Sequence, residues 1–308
     1  MPESSMILHH YDASPYAEKI RLMFGVAGAD WQSVLSPPQP PRPNVDPLTG
    51  GYRRIPVAQS GADIFCDTSL IAAEVAAMHN QQALRPQFTD EAAKTLATKA
   101  EGDMFFAAIT SVPPAKLLGT LLSNFGVFGT LRFMKDRSGM MRSATIKPLQ
   151  GKAAATAFAA FQAELNAHLA QQPFIDGHNV SYADLCVFHP LWLQCRVGRR
   201  PLPPQHTHLE QWFARVESFG HGRRHDITAE AAFAAARAAD PRALPETVEQ
   251  DQRLGTRVSV APADYGRNPV TGELVALTDE RVIVARHTEA FGTLHVHFPR
   301  DNYEVYSA

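Results

Sequence analysis

Two short segments of the chain carry residue types suited to binding a peptide-like molecule. Arg54-Ile55-Pro56 stands directly ahead of a predicted strand, and Asp67-Thr68 opens a predicted helix. Because proline brings no backbone N–H to a strand ladder, Ile55 can pair with a ligand, and a cis bond would turn that edge outward. The helix start favours a carboxylate. The alternative is an edge proline and an ordinary helix cap.

A third segment, Ser14-Pro15, predicts the start of another helix, because serine suits the cap and proline the first turn. A hydroxyl group at this place can also donate a hydrogen bond to a thiolate, which the helix dipole favours as well. Lowering a thiol pKa by about 2 units from about 8.5 needs roughly 2.7 kcal/mol. Two interpretations stay open: Ser14 only caps its helix, or it also stabilises a thiolate.

The elements that must position these residues follow one another in a recognisable order. The pattern predicts strands over residues 6–11, 31–35, 57–59 and 64–66, with helices over 16–25 and from 67 onward. This β-α-β, β-β-α order is thioredoxin-like, a parallel βαβ unit followed by an antiparallel hairpin. We therefore predict an α/β thioredoxin-like N-terminal domain.

Arg54, Pro56, Asp67 and Thr68 together resemble the glutathione-binding half of the glutathione S-transferase family. In that family a basic residue two before the proline, the proline itself and an acidic–hydroxyl pair opening a helix hold glutathione. The resemblance implies that Arg54 contacts a carboxylate of glutathione and that Ile55 pairs with its backbone. It implies that Asp67 and Thr68 hold the γ-glutamyl end.

The segment from Ser14 to Arg21 is similar to the first-helix motif of transferase classes with Ser or Cys just before the proline. The resemblance implies that Ser14 contacts the sulfur of glutathione. Tyr11 is the alternative donor, since other classes use a tyrosine near that strand end. Serine in place of cysteine argues against glutaredoxin-type disulfide exchange. The resemblance covers roughly residues 6–225 and implies a homodimer.

The middle of the chain predicts an all-helical domain. Long helical patterns run over residues 91–110, 116–135 and 147–170. Bulky apolar residues on them, Phe128 and Met134 included, are expected in the core. The resemblance implies that Phe105, Phe106 or Lys116 is partly exposed in a pocket for a hydrophobic co-substrate.

The C-terminal residues do not fit the family pattern. Four or five short runs of alternating apolar residues predict a small all-β appendix, a barrel or curled sheet. His295 and His297 share one strand face, which is expected to be a polar exterior. Because the predicted site lies within the first 80 residues, deletion of 252–308 is expected to leave a folded core with its glutathione affinity intact.

Three domains are therefore predicted, over residues 1–80, 90–240 and 252–308. Within the second, Ser181 and Asp184 have the spacing of a capping box at the start of a helix. In the family this box matters for folding, so Asp184 is assigned a structural role.

Composition limits the function classes. The net charge of −2 gives no electrostatic case for nucleic acid or an acidic membrane surface. Three widely spaced cysteines fit a reducing cytoplasm. The start MPESSM has no targeting pattern, and no run of about 18 apolar residues indicates a membrane span. His9 and His10 point to opposite strand faces, so no metal site is expected.

These observations lead to one main hypothesis. The chain is expected to be a cytoplasmic glutathione S-transferase-like enzyme that activates the glutathione thiolate for attack on a hydrophobic electrophile. One alternative is a non-catalytic scaffold or interaction protein of the same fold, since a fold does not fix a function. Another is a lyase, dehalogenase or isomerase that uses glutathione as a cofactor.

Overall fold

Ten strands form one sheet within residues 5–308, the part of the chain that the computed structural model describes. The strands are β1 (Ile7–His10), β2 (Asp30–Leu35), β3 (Val57–Ser60), β4 (Asp63–Cys66), β5 (Arg223–Asp226), β6 (Arg257–Pro262), β7 (Val270–Leu277), β8 (Arg281–Thr288), β9 (Gly292–Pro299) and β10 (Tyr303–Ser307). Their order across the sheet is β10-β6-β7-β8-β9-β4-β3-β1-β2-β5. Most of the MPESSM start, namely residues 1–4, lies outside the described residues.

The N-terminal unit combines β1–β4 with α1 (Pro15–Val26), α2 (Asp46–Thr49) and α3 (Thr68–Met78). β1 pairs in parallel with β2 and antiparallel with β3, and β3 pairs antiparallel with β4. This confirms the predicted thioredoxin-like arrangement. β5 then joins β2 in parallel, as a strand that the sequence pattern did not predict.

The helical domain is confirmed as well. Its helices are α4 (Glu91–Lys99), α5 (Phe105–Ser111), α6 (Pro114–Arg142), α7 (Gly151–His168), α8 (Tyr182–Trp192) and α9 (Thr207–Glu217), and α10 (Ala229–Arg237) follows β5. The predicted capping box starts α8: the Ser181 N–H donates to the Asp184 carboxylate at 2.9 Å. The Trp212 indole N–H donates to the same group at 2.7 Å, which ties α8 to α9.

The C-terminal strands are present as predicted, but they do not stand apart. β6–β9 form an antiparallel meander, β10 pairs with β6, and β9 pairs in parallel with β4. Of the two expected forms, a barrel or a curled sheet, the barrel is wrong. Within the described residues 5–308, the C-terminal strands continue the N-terminal sheet as an open extension. Ile64 on β4 explains the junction, since it is fully buried in a core shared with Val284 and Phe298. The predicted domain boundaries stay a prediction.

A buried polar group lies at this junction. The expectation that His295 and His297 form a polar exterior is wrong: His297 is 4% exposed, and its Nε2 lies 2.7 Å from Asp63 Oδ1. Asp63, His295 and His297 offer ligand-type atoms within 4.8 Å of one another. The backbone N–H of Arg242 already donates to the other carboxylate oxygen of Asp63, Oδ2, at 2.9 Å. Burial opposes ionisation of Asp63, yet the hydrogen bonds from His297 and Arg242 hold its pKa below the usual value.

Helix α6 differs most from the sequence prediction. Phe128 is 84% exposed and Met134 52%, so these two residues are not in the core. By length and composition this helix could cross a membrane, contrary to the expectation from sequence, and 11% of its most apolar stretch is buried. Such a match is weak evidence, and Gly126, with φ +66°, breaks the helix into two arms. The bend brings the Phe125 and Phe133 rings within 5.3 Å.

Helix α1 is buried on its polar side too. Glu18, Lys19 and Arg21 are each at most 3% exposed, because α1 packs against α3 and α8. Glu18 accepts two hydrogen bonds from Arg21, at 2.6 and 3.1 Å, while Lys19 donates to Glu101. The charged residues of α1 therefore face ion-pair partners inside the protein, as buried charges require.

Candidate functional site

All seven residues singled out from the sequence line a single cavity. It has a volume of about 1410 Å³ and opens between the N-terminal unit, the helical domain and the C-terminal strands. Its lining includes Tyr11, Ser14, Arg54, Ile55, Pro56, Asp67 and Thr68. The structure thus brings together residues that are up to 57 positions apart in sequence, between Tyr11 and Thr68. This is the pocket in which a ligand and a reactive group can meet.

The loop ahead of β3 presents its backbone to this cavity. The Ile55–Pro56 peptide bond is cis. The guanidinium of Arg42, 1% exposed, donates to the carbonyl groups of Tyr52, Arg53 and Arg54. Because these carbonyl groups already accept hydrogen bonds from a buried side chain, the loop is held in one conformation before any ligand binds.

Asp67 has the most unusual backbone in the site. Its φ of +77° lies in a region that non-glycine residues seldom adopt, and such strain persists where the surroundings enforce it. Oδ1 accepts from the Ser69 N–H at 3.1 Å and so caps α3, and Oδ2 accepts from the Tyr303 hydroxyl at 3.1 Å. Thr68 follows as the first residue of α3 and is 8% exposed. An anion beside Thr68 would meet the positive end of the α3 dipole.

Ser14 and Tyr11 lie on opposite ends of one tight turn. The Ser14 N–H donates to the Tyr11 carbonyl at 3.1 Å, and Ser14 Oγ accepts from the Ala17 N–H at 3.2 Å. Ser14 is therefore the N-cap of α1, as the first interpretation requires. Its own hydroxyl proton is not used by that contact, so the cap does not prevent donation to a thiolate.

The guanidinium of Arg54 is already paired with residues of the same chain. It pairs with Asp264, lies 3.5 Å from Asp67 Oδ2, and donates to the Tyr265 carbonyl at 2.7 Å. Its guanidinium carbon lies 4.3 Å from the centre of the Tyr265 ring. The site is thus not confined to the first 80 residues, because the loop between β6 and β7 supplies part of it.

The wall on the helical side of the cavity is apolar. Phe105, Phe106 and Ile109 line it. That this wall holds a hydrophobic co-substrate stays a prediction. Lys116 is not among the lining residues; its ammonium group donates to the Arg199 carbonyl at 3.4 Å. The cavity therefore has a polar end at the N-terminal unit and an apolar end at the helices.

Comparison with known proteins decides the family. Residues 8–83 match the glutathione S-transferase N-terminal domain, and residues 131–219 match the glutathione S-transferase C-terminal domain. The chain is also 32% identical to a GST-like protein from Pseudomonas syringae, with a TM-score of 0.78. That alignment covers 99% of this chain and 100% of the other, so it includes the C-terminal strands. The chain belongs to the glutathione S-transferase family.

Two glutathione S-transferases with lower similarity to this chain were also found. A transferase from Methylobacillus flagellatus, with GSH bound, is 19% identical over 72% of this chain and 100% of its own, with a TM-score of 0.46. The theta class enzyme from Xanthomonas axonopodis pv. citri, with glutathione bound, is 19% identical over 70% and 93%, with a TM-score of 0.41. The comparison with curated proteins gives no match.

Several residues that line this cavity were not found from the sequence. Asp264, Tyr265 and Tyr303 reach it from the C-terminal strands, and no local motif marks them. Tyr16 stands two residues after Ser14, and its hydroxyl lies 3.2 Å from that of Tyr265. Burial raises the pKa of both phenols, so they stay protonated near neutral pH. A tyrosine directly after the Ser14-Pro15 motif was the one available signal.

Proposed function

We propose that the protein is an enzyme that binds glutathione in this cavity and activates its thiol for attack on a hydrophobic electrophile. The observation that carries the proposal is the shared cavity, in which the seven predicted residues face an apolar wall. Ile55 would pair with the glutathione backbone, and Thr68 at the start of α3 would receive its γ-glutamyl carboxylate. The electrophile would lie against Phe105 and Phe106.

Arg54 remains a proposed contact of a glutathione carboxylate, but it acts within an existing network. Asp67 and Asp264 already pair with its guanidinium, so a third carboxylate gains less from that charge. We infer that Arg54 mainly orients Asp67, and that the Asp67 carboxylate faces the amino group of the γ-glutamyl end.

Ser14 is the proposed hydrogen-bond donor to the thiolate, with Tyr11 as the alternative. The test is the ultraviolet absorbance of the thiolate in bound glutathione, titrated against pH in the wild type and in Ser14→Ala. Loss of the donor should raise the thiol pKa and lower turnover more at about pH 6.5 than at about pH 9, where the thiol ionises unaided.

Tyr11→Phe is the matched control for this titration. If Ser14→Ala keeps the wild-type curve while Tyr11→Phe shifts it, Tyr11 is the donor. A protein that binds no glutathione by calorimetry would instead be the non-catalytic scaffold. Turnover without a stable conjugate would favour the lyase, dehalogenase or isomerase alternative.

We also propose a cytoplasmic homodimer, as the family resemblance implies. Apolar side chains exposed on α6 support a surface that a second copy could bury; they include Leu118, Val127, Phe128, Leu131 and Met134. Sedimentation equilibrium measures the oligomeric state directly. A monomer at micromolar concentration would contradict this part of the proposal.

A further inference from the structure

Three side chains of metal-binding type meet at the junction of β4 and β9, and none of them lines the cavity. Asp63 pairs in register with His295, and His297 lies two positions further along the same strand. Because alternate residues of a strand share a face, both imidazole rings stand on one side of the sheet. Ligand-type atoms of the three residues lie within 4.8 Å of one another. The pairing of β4 with β9 thus assembles one carboxylate and two imidazoles at one point.

The hydrogen bonds of the two rings leave nitrogen atoms unused. His297 Nε2 lies 2.7 Å from Asp63 Oδ1, and since a carboxylate only accepts, Nε2 donates its proton there. Within residues 5–308, Nδ1 of His295 and Nδ1 of His297 are both buried without a hydrogen-bond partner. Buried polar atoms are nearly always paired, so an unpaired nitrogen in each ring requires an explanation. A bound ion supplies one.

A metal ion fits this arrangement after a small rearrangement. An imidazole binds a metal through one nitrogen and can keep its proton on the other. If Nε2 of His297 binds the ion, its proton moves to Nδ1, which has no competing partner, and Asp63 Oδ1 changes from acceptor to ligand. Ligands at about 2.0–2.1 Å from a tetrahedral ion stand roughly 3.3 Å apart. This spacing lies between the 2.7 Å of the hydrogen bond and the 4.8 Å limit of the cluster.

The surroundings hold the carboxylate in place and leave a path from solvent. The Arg242 N–H donates to Asp63 Oδ2 at 2.9 Å, so Oδ1 remains available while the other oxygen is fixed. An outer hydrogen bond of this kind is usual for carboxylates that bind metals. The guanidinium of Arg242 is paired with Glu74 at 3.0 Å, which compensates its charge. His295 is half-buried, so an ion can reach the cluster on its side.

We propose that Asp63, His295 and His297 bind a divalent transition-metal ion, with Zn²⁺ as the expected ion. Two imidazoles and a carboxylate are ligands that zinc binds, whereas Mg²⁺ and Ca²⁺ select oxygen ligands. The ion would join β4 to β9, and so the N-terminal unit to the C-terminal strands. It would stabilise the folded chain, because the unfolded chain does not hold the three ligands together. The inference goes beyond the proposed glutathione chemistry and does not depend on it.

The test measures Zn²⁺ binding to the full chain, produced without a histidine tag and freed of metal with a chelator. Isothermal titration gives the affinity and the stoichiometry. Glutathione is left out, because its thiol itself binds zinc. We expect saturable binding of one ion per chain and an upward shift of the thermal transition when Zn²⁺ is added.

His295→Ala removes one ligand and leaves the buried Asp63–His297 pair in place, so the variant should fold. Its Zn²⁺ affinity should fall by at least about 100-fold, because the loss even of an outer-shell partner costs about 10–100-fold. His295→Gln is the second variant and keeps a polar side chain at the same position. His287→Ala is the matched control, since it removes an exposed histidine from β8 of the same sheet, and it should bind Zn²⁺ as the wild type does.

Each outcome decides for or against the site. A Zn²⁺ affinity that falls in the His295 variants and stays unchanged in His287→Ala supports it. Absence of saturable binding at micromolar concentrations overturns it, and so does equal affinity in wild type and the His295 variants, because the zinc then binds elsewhere. A wild-type thermal transition that Zn²⁺ leaves unchanged also overturns it, whichever variants fold. None of these measurements uses glutathione turnover, so failure of the proposed function would leave this inference standing.

Discussion

The two halves of the sheet contribute to the cavity in different ways. In the N-terminal half, four-residue strands such as β1, β3 and β4 alternate with helices, and the site residues stand at strand ends and helix starts. In the C-terminal half, β7, β8 and β9 are each eight residues long and form a meander without helices. This half lines the cavity with its loops and strand ends, which include Asp264 and Tyr265 between β6 and β7 and Tyr303 at the start of β10. The sheet extension thus closes a pocket that the N-terminal half leaves incomplete.

The two halves of the sheet also differ in the apolar cores that they help to form. The two halves share a single apolar core at their junction, in which Val57 and Cys66 pack with residues of β6–β10. The N-terminal half has a second core in common with the helical domain, which includes Leu8 and Phe65. β4 is therefore buried on both of its faces, by different parts of the chain. One deletion and two substitutions test how far the N-terminal half depends on the C-terminal half.

The largest effect is expected from deletion of residues 252–308. The deletion uncovers Ile64 and Cys66 and leaves the edge of β4 unpaired, and an exposed apolar edge promotes aggregation. We expect the truncated chain to be insoluble or to lack a cooperative thermal transition. This reverses the expectation from sequence that the core would stay intact.

The soluble fraction after expression and the thermal unfolding curve measure this effect. Co-expression of residues 252–308 as a separate fragment is the control, and it should restore soluble protein if the loss comes from the uncovered junction. A soluble truncated chain with wild-type glutathione affinity would show that the two halves are independent.

A smaller effect is expected from Asp63→Ala, at the polar part of the junction. The change removes the acceptor of buried His297 and of the Arg242 N–H. Breaking a buried pair in this way should lower the free energy of unfolding by about 3 kcal/mol. Because the folded-state pKa of Asp63 is depressed, the wild-type contribution is present above about pH 3.9 and is lost as pH falls below it.

Urea unfolding at neutral pH measures the change. The exposed residue Asp279, in the turn between β7 and β8, supplies the control, and Asp279→Ala should change stability by less than about 0.5 kcal/mol. Equal stability of Asp63→Ala and wild type would mean that apolar packing alone joins the halves.

The same contrast explains how far the sequence could predict the molecule. The N-terminal fold and its cavity residues have local signals: a serine cap before Pro15, a proline before β3 and a cap at Asp67. The C-terminal strands were also predicted, because their apolar residues alternate. Their attachment to β4 was not, since parallel pairing between residues 63–65 and 295–297 leaves no local pattern. Contacts of this range depend on the folded chain rather than on neighbours in sequence.

The sequence prediction of burial fails for charged residues that are buried and for apolar residues that are exposed. Lys19 is buried because its ammonium group donates to Glu101 and Tyr182 of the helical domain. These two residues are more than 80 positions away in sequence. Phe128 is exposed, and so are Leu118 and Leu122 before the break at Gly126, so α6 is poorly covered on both sides of the break. Helical periodicity shows which residues share a face of the helix. It does not show which face another element covers.

The smallest effect concerns Tyr303, through which the C-terminal half contacts Asp67. Its hydroxyl donates to Asp67 Oδ2 at 3.1 Å and lies 2.6 Å from the hydroxyl of Tyr52. Tyr303→Phe keeps the ring in the core but removes both contacts. The carboxylate of Asp67 is then less well oriented, and a lost hydrogen bond of this kind costs about 1 kcal/mol, or roughly fivefold in glutathione affinity.

Calorimetric titration with glutathione measures this affinity, and urea unfolding reports the accompanying change in stability. Tyr306→Phe is the control, because that hydroxyl contacts Arg267 and Tyr306 is not among the residues that line the cavity. Loss of stability without loss of affinity would mean that Tyr303 only supports the core. Loss of affinity in Tyr303→Phe together with unchanged affinity in Tyr306→Phe would show that the C-terminal half positions Asp67, because only the first hydroxyl reaches that carboxylate.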